Sequence, residues 1–542
     1  MRLKLFAGLI LLAAAPAAAQ RPAPPRLIVA ISVDQLSADL FAEYRPHFTG
    51  GLRRLSNGIV FPAGYQAHAA TETCPGHSTI LTGARPARTG IIANNWFGTE
   101  GVRAGQTIYC AEDERVPGST SDNYTVSPAH LRVPALGDLM RRADPRSRVV
   151  AVAGKDRAAV MMGGHNPDQR WWWGGRAFVG HAGVAEPTAV RTVNRRVAEA
   201  MARAREPMDL PDLCEPRARA VAVPGRTAPL GAGRFARAAG DGGAWRASPE
   251  ADAALLDLAE KLRDELDLGE GPAPDLLAIG LSATDYVGHS LGTQGSEMCL
   301  HLLALDRALG DFFSALDRDR IDYVVMLTSD HGGLDLPERS RAQAGGGARV
   351  DASLAPRAMG ETIGRRLRLT GPVLIGDGPF GDIYVDRALP ARTRTRVLAE
   401  ALAAYRAHPQ VEAAFSRAQI QAAPAPAGPP DGWSLLQRAR ASFDPQRSGD
   451  LYVMLRPRVT PIAAPGDTYV ATHGSPWDYD RRVPILFWRR GMAAFEQPLA
   501  VETVDIMPTL AALIGLPLAP GSVDGRCLDL DPGPESSCPP PR

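Results

Sequence analysis

The chain has 542 residues, enough to bury a large core as one α/β unit with insertions or as two domains. Hydrophobic residues make up 45% and charged residues 22%, ordinary values for a globular protein. The formal net charge of +1, from 60 basic and 59 acidic residues, gives no reason to expect nucleic acid or an anionic membrane as a partner.

The opening segment MRLKLFAGLILLAAAPAAAQ reads as a secretory signal over residues 1–19. Arg2 and Lys4 give a short positive start, an apolar stretch follows, and Ala17 and Ala19 form an A-x-A cleavage site. The apolar stretch is short for a membrane span, with a retained anchor as the alternative. The mature protein is expected to be soluble and periplasmic or secreted, without a membrane anchor. Its oligomeric state is open, with a monomer as the default. Export permits disulfides among Cys74, Cys110, Cys214, Cys299, Cys527 and Cys538. Cys527 and Cys538 are the expected pair, and sequence does not choose among the remaining connectivities. No C-x-x-C spacing exists, so a thiolate metal site is not expected.

After a short Pro-rich linker, RLIVAISV reads as a buried strand ending on Asp34, and residues 39–54 carry a helical pattern. The segment 68–97 has turn signals at Pro75-Gly76, Thr89-Gly90 and Asn94-Asn95. Residues 148–157 read as a strand with charges at its end, and 186–204 and 249–267 as helices around an irregular excursion at 205–247. LLAIGLS and YVVMLTS follow as strands, separated by a helix near 296–316. The strand–helix–strand order predicts a doubly wound, mostly parallel α/β sheet flanked by helices. Residues 336–352 read as a loop. VLIGDG, GDIYVD, GDLYVML and a helix near 391–407 predict a smaller α+β cap insertion. The metal-binding core is thus expected at 26–335 and 461–542, with loop and cap at 336–460. VPILFWRRG (483–491) returns to the main sheet, and 501–516 closes the chain as an amphipathic helix.

Three apolar runs end on Asp34, Asp285 and Asp330, where the carboxyl ends of parallel strands line a ligand crevice. His289 follows Asp285 by four residues, one side of a helical turn, and His331 follows Asp330 directly. Carboxylates gathered there would repel one another unless a cation neutralised them. Aspartate mixed with imidazole suits a divalent metal, zinc first and manganese second. Thr73 stands just before a helical stretch, where a hydroxyl meets unpaired N–H groups; it is placed either for phosphate chemistry or as an N-cap. Lys155 and Arg157 are two apart and point to one side if they end a strand, forming either an oxyanion clamp or a solvated strand end. His473 is isolated by loop residues. His77, His165 and His181 are expected to be structural, and Trp171-Trp172-Trp173 to be packing, with a crevice wall as the alternative.

Taken together, Asp34, T-C-P-G-H at 73–77, Asn94 in GIIANN, Asp285-x-x-x-His289, Asp330-His331-Gly332 and His473 resemble the alkaline phosphatase superfamily. The resemblance is greatest to its bacterial branch with a threonine nucleophile and a Lys-x-Arg phosphate clamp. It implies an alkaline-phosphatase-like fold and two zinc ions. Asp285, His289 and His473 would hold one; Asp34, Asp330 and His331 would hold the other, with Thr73 as its exchangeable ligand. It further implies that Asn94 donates to a phosphoryl oxygen, that Lys155 and Arg157 grip the others, and that a phosphothreonine forms. An additional calcium ion stays open, although no EF-hand spacing is present. The expected partners are small phosphate monoesters and inorganic phosphate. Two divalent ions balance three aspartates and a threonine alkoxide, which leaves Lys155 and Arg157 to balance a monoester dianion. The alternative is a phosphodiesterase or nucleotide pyrophosphatase on the same frame. No C/S-x-P-x-R motif supports a sulfatase, and the export signal argues against a phosphoglycerate mutase. A catalytically dead binding module is the reading from another class.

Overall fold

The computed structural model describes residues 23–540 apart from 182, 341–345, 467 and 534. The expected signal at 1–19, and part of the loop expected at 336–352, lie outside the described residues. Among the described residues no helix is long and apolar enough to cross a membrane.

Strand Leu27–Val33 is buried along its whole length, as an apolar run in the middle of a two-faced sheet must be. Its alternate residues enter two different cores. Leu27, Val29, Ile31 and Val33 pack with helices Pro249–Glu265 and Ser296–Arg318 on one face. Ile28 and Ala30 pack with Ile80, Met162, Met507 and Leu510 on the other. This strand runs parallel to Tyr323–Thr328 on one side and Asp275–Leu281 on the other. The sheet continues through Val149–Ala153 and Gln169–Trp173, both parallel, to an antiparallel edge at Phe178–Gly180. In the other direction Arg482–Arg489, Ile59–Tyr65 and Phe495–Glu496 extend it. The doubly wound, mostly parallel sheet is therefore present.

Several local expectations shift. The helix expected at 39–54 breaks into Ala38–Tyr44, a 3-10 turn at Arg45–His47 and Gly51–Ser56, because Pro46 and Gly50 interrupt it. The strand expected at 148–157 stops at Ala153, and Asp156 already opens helix Asp156–Gly163. Lys155 and Arg157 therefore flank a strand-to-helix turn instead of ending a strand. The closing helix shrinks to Ile506–Leu513, since Val501–Glu502 pairs with Ile59–Tyr65 and Thr503–Asp505 forms a 3-10 turn. Within 336–352, Pro337–Ser340 is helical and Ala348–Arg349 pairs with Val459–Thr460.

Between the two stretches of main sheet lies a four-stranded antiparallel sheet in the order Leu374–Ile375, Gly381–Val385, Leu451–Leu455, Val411–Ser416. Helices Pro356–Leu367 and Ala391–Ala407 cover it, and it has its own apolar cluster around Ile363, Val397 and Val453. Val411–Ser416 was not anticipated. Trp171, Trp172 and Trp173 form a buried strand, as packing residues would. Disulfides join Cys74 to Cys110, Cys214 to Cys299 and Cys527 to Cys538.

Candidate metal centre

Parallel pairing puts the carboxyl ends of three adjacent strands side by side. The register pairs Ser32 with Thr328, and continuing it by two residues sets Asp34 beside Asp330. On the other flank, strand Asp275–Leu281 leads into helix Ala283–Leu291, whose first turn carries Asp285 and whose last carries His289. Asp34, Asp285 and Asp330 are all buried. The helix Thr73–Ile80 comes in over the third strand, so close that a Cβ on Gly76 would collide with the Asp330 backbone carbonyl. That contact accounts for the glycine in Cys74-Pro75-Gly76-His77.

Two groups of ligand atoms result. Asp285, His331 and His473 form one; Asp34, His77 and Asp330 form the other. Around them, His289 Nε2 lies 3.2 Å and His473 Nε2 3.3 Å from Asp285 Oδ1. His331 Nε2 is 3.2 Å from Asp330 Oδ2, and its ring stacks on His473 with centroids 3.5 Å apart. His331 thus sits between the groups. His77, expected to be structural, places Nε2 3.2 Å from Asp34 Oδ1. Every histidine expected to hold a metal points its Nδ1 at a backbone carbonyl 2.8 Å away: His289 at Ala471, His473 at Thr71, His331 at Gly332. An Nδ1–H donated there leaves the Nε2 lone pair facing the carboxylates, the orientation a metal ligand needs.

The donor set fits divalent ions. Both Asp34 oxygens, Asp330 Oδ2 and His331 Nε2 are buried and make no aligned hydrogen bond, their close contacts being only ion-pair contacts within the site. Buried polar atoms are ordinarily satisfied, so this set calls for cations. In their place Lys155 Nζ reaches Asp285 Oδ2 at 2.6 Å and Asp34 Oδ2 at 2.8 Å. Burial alone would lower the Lys155 pKa, but these two carboxylates overcome it and hold the ammonium well above its usual value. Burial would likewise raise Asp285, yet His289 and Lys155 keep it well below the usual carboxylate range.

Thr73 is the first residue of its helix; the N-cap is Glu72, so Thr73 does not cap it. Its hydroxyl receives Lys155 Nζ at 3.3 Å. Asn94 lies opposite, its Oδ1 accepting the Cys74 N–H at 2.9 Å, while its own N–H donates to Glu72 Oε2 at 2.6 Å. The Cys74–Cys110 disulfide ties this loop to the hairpin Asn95–Phe97/Thr107–Tyr109. Tyr109 in turn donates to Asp156 at 2.7 Å and meets Arg157 Nη1 at 3.4 Å. Asp34, Thr73, Asn94, Lys155, Arg157, Asp285, His289, Asp330, His331 and His473 therefore converge from seven separate stretches of sequence. His165 and His181 do not join them: His165 bonds Asp138 and Leu131, and His181 meets Arg170. Sequence reasoning missed Gln35, whose N–H reaches Asp330 Oδ1 at 3.1 Å and whose Nε2 reaches Asp285 Oδ1 at 3.2 Å. Its φ of 64° folds it back over the carboxylates. A polar residue directly after a strand-ending aspartate was the available signal.

The chain has clear relatives. It is 57% identical over 522 residues to alkaline phosphatase PhoK of Sphingomonas sp, covering 95% of this chain and 93% of that one. To alkaline phosphatase PhoD of Zymomonas mobilis it is 49% identical, covering 95% and 89%. The crystal structure of alkaline phosphatase PafA shares the fold, with a TM-score of 0.81 at 23% identity over 94% of this chain and 99% of that one. The family model for type I phosphodiesterase / nucleotide pyrophosphatase matches residues 28–476. With its carboxylates at three adjacent strand ends and that match across most of its length, the chain belongs to the type I phosphodiesterase / nucleotide pyrophosphatase family, within the alkaline phosphatase superfamily.

Proposed function

We propose that this protein is an exported alkaline phosphatase that hydrolyses small phosphate monoesters through a phosphothreonine at Thr73, on a site built for two zinc ions. Asp285, His289 and His473 would hold one ion, and Asp34, Asp330, His331 and Thr73 the other. When bound, the ions supply Lewis acidity, lowering the pKa of a hydroxyl and stabilising charge on the attacking and leaving oxygens. The reading rests on the relatives at 57% and 49% identity, which bear the name alkaline phosphatase, and above all on one observation. That observation is Lys155, buried between Thr73 and the two flanking carboxylates.

Thr73 attacks phosphorus from the first turn of its helix, where its own backbone N–H faces developing charge. The hydroxyl proton passes to solvent, the O–P bond forms as the ester bond to the leaving oxygen breaks, and the leaving oxygen takes up a proton from solvent to depart as the alcohol. Asn94 has Oδ1 occupied by Cys74, so its Nδ2 is free to donate to a phosphoryl oxygen. Lys155 and Arg157 take the remaining oxygens, Arg157 as a fork and Lys155 as a point charge. Water then cleaves the phosphothreonine, returning the Thr73 hydroxyl and releasing inorganic phosphate. The three disulfides support an oxidising compartment, periplasmic or extracellular.

A diester offers one charge less and carries a second organic group where Lys155 and Arg157 stand, which is why the monoesterase is preferred over a phosphodiesterase. The deciding experiment compares kcat/KM for p-nitrophenyl phosphate and bis-p-nitrophenyl phosphate, in the native chain and in Lys155→Ala/Arg157→Ala. A monoester preference that collapses in the double variant supports the reading. A native preference for the diester overturns it.

A further inference from the structure

Three cations surround one phenol beside the metal centre. Tyr286 follows Asp285 on its helix and has Lys155 Nζ 5.1 Å from its ring centroid. The Arg246 guanidinium carbon lies 4.2 Å from the same centroid, and the fields of Lys155, Arg157 and Arg246 all act on the Tyr286 hydroxyl. Lys155 is matched by Asp285 and Asp34. Arg246 is different. No ion pair with a carboxylate holds it among the described residues, and its Nε is buried without an acceptor.

The position of Arg246 is nonetheless fixed. It ends helix Gly242–Arg246, which Asp241 caps through the Ala244 N–H at 2.9 Å. The preceding Trp245 is buried, its ring 4.4 Å from that of Trp173. Trp173 packs on Phe178 in turn. The tryptophan strand thus anchors the otherwise irregular excursion and delivers a guanidinium to the Tyr286 ring, the same ring that Lys155 faces. A surface arginine needing only water would not require such an anchor, since its long stem is usually free to move.

Resting on the phosphomonoesterase reading above, we propose that Arg246 is a specificity-determining residue that recognises a second anionic group of the substrate, phosphoryl or carboxylate, beyond the group being transferred. Two divalent ions, Lys155 and Arg157 already balance three aspartates, the Thr73 alkoxide and a monoester dianion. Arg246 is surplus to that balance and forms no ion pair with a carboxylate among the described residues. A planar fork of N–H donors suits a phosphoryl or carboxylate group. Nucleoside diphosphates and acidic phosphoesters are therefore the favoured substrate class.

The test uses the metal-loaded, full-length exported protein and measures kcat/KM for adenosine 5′-diphosphate against adenosine 5′-monophosphate. A second arm compares 4-carboxyphenyl phosphate with phenyl phosphate. Arg246→Ala should lower kcat/KM for the diphosphate by about tenfold, the worth of one charged hydrogen bond, and leave the monophosphate within about twofold. Inhibition by inorganic pyrophosphate should weaken in the variant while inhibition by inorganic phosphate stays, and Arg246→Lys should fall in between. A loss confined to one arm identifies the anion as phosphoryl or carboxylate. Equal losses on all four esters, or no loss on any, overturn the inference and leave the phosphatase reading intact. A native chain inactive on every ester sinks both.

Discussion

Asn94 Oδ1 accepts the backbone N–H of Cys74 at 2.9 Å, and this single bond decides which way the amide faces. With oxygen committed to the helix that carries Thr73, nitrogen points outward with both hydrogens to give. Asn94→Ala should lower kcat/KM by about 10²-fold, in the range seen when one oxyanion donor is removed. Asn94→Asp should be worse, because a carboxylate would face the phosphoryl oxygens. Steady-state kinetics check both, and metal content by elemental analysis should not change.

Thr73→Ala removes the proposed nucleophile while leaving Asp34, Asp330 and His331 in place. Turnover should fall by about 10³-fold or more. Thr73→Ser should keep a measurable fraction. Rapid-quench mass spectrometry of the native protein at acidic pH should find the phosphoryl group on the peptide containing residue 73. Finding it elsewhere would refute the assignment.

Chelation should abolish activity and zinc should restore it. It should also destabilise the protein, since the buried carboxylates lose their divalent counter-charges and keep only Lys155, the neighbouring histidines and Gln35. An ion present at a hundred times its Kd adds about 2.7 kcal/mol. Thermal unfolding with and without chelator reads the difference, and an unchanged Tm would count against a buried ion.

Asp505, which touches none of the metal-centre residues, supplies a pH test of stability. Burial raises its pKa from 3.8 to about 6, against the opposing N–H bonds from Arg526 and Glu502. A carboxyl raised on folding stabilises most below its unfolded value, and that contribution is lost as pH rises through the folded one. Native stability should therefore decline between 3.8 and about 6 by an amount that Asp505→Asn does not show. Urea unfolding of both proteins across that range measures the gap. The variant is less stable overall, because its amide offers one acceptor where two N–H groups converge.

The residues that could be read in advance were those at strand ends. Asp34 and Asp330 stand out because an unbroken apolar run can end on a charge only where it leaves the core, and their meeting follows from parallel pairing alone. Asp285 and His289 follow from helical spacing. Lys155 and Arg157 were legible as a pair of cations near the carboxylates but misplaced as geometry. Nothing local in GKDR tells a strand end from a strand-to-helix turn, and tertiary packing of Asp156 against Tyr109 and Tyr124 helps fix it as a turn. Gln35 went unread and His77 reads only as structural because each takes its place from partners far away in sequence, Asp285 and Asp330 for one and Asp34 and Asp330 for the other. The strand Val411–Ser416 escaped because only Val411 and Ala414 are fully buried and its pattern is interrupted by a register shift beside Leu455. The role proposed for Arg246 had no signal at all, since it depends on tryptophans more than seventy residues upstream.

The adjacency of Asp34 and Asp330 carries a consequence for how this chemistry can evolve. Neighbouring strands stand about 4.8 Å apart whatever their side chains. The ladder of backbone bonds therefore acts as a ruler, holding those two carboxylates close enough to face a single shared cation. Side chains can drift through most of the molecule without disturbing that gauge. A slip of one residue between these two strands would turn one aspartate to the opposite face and erase it.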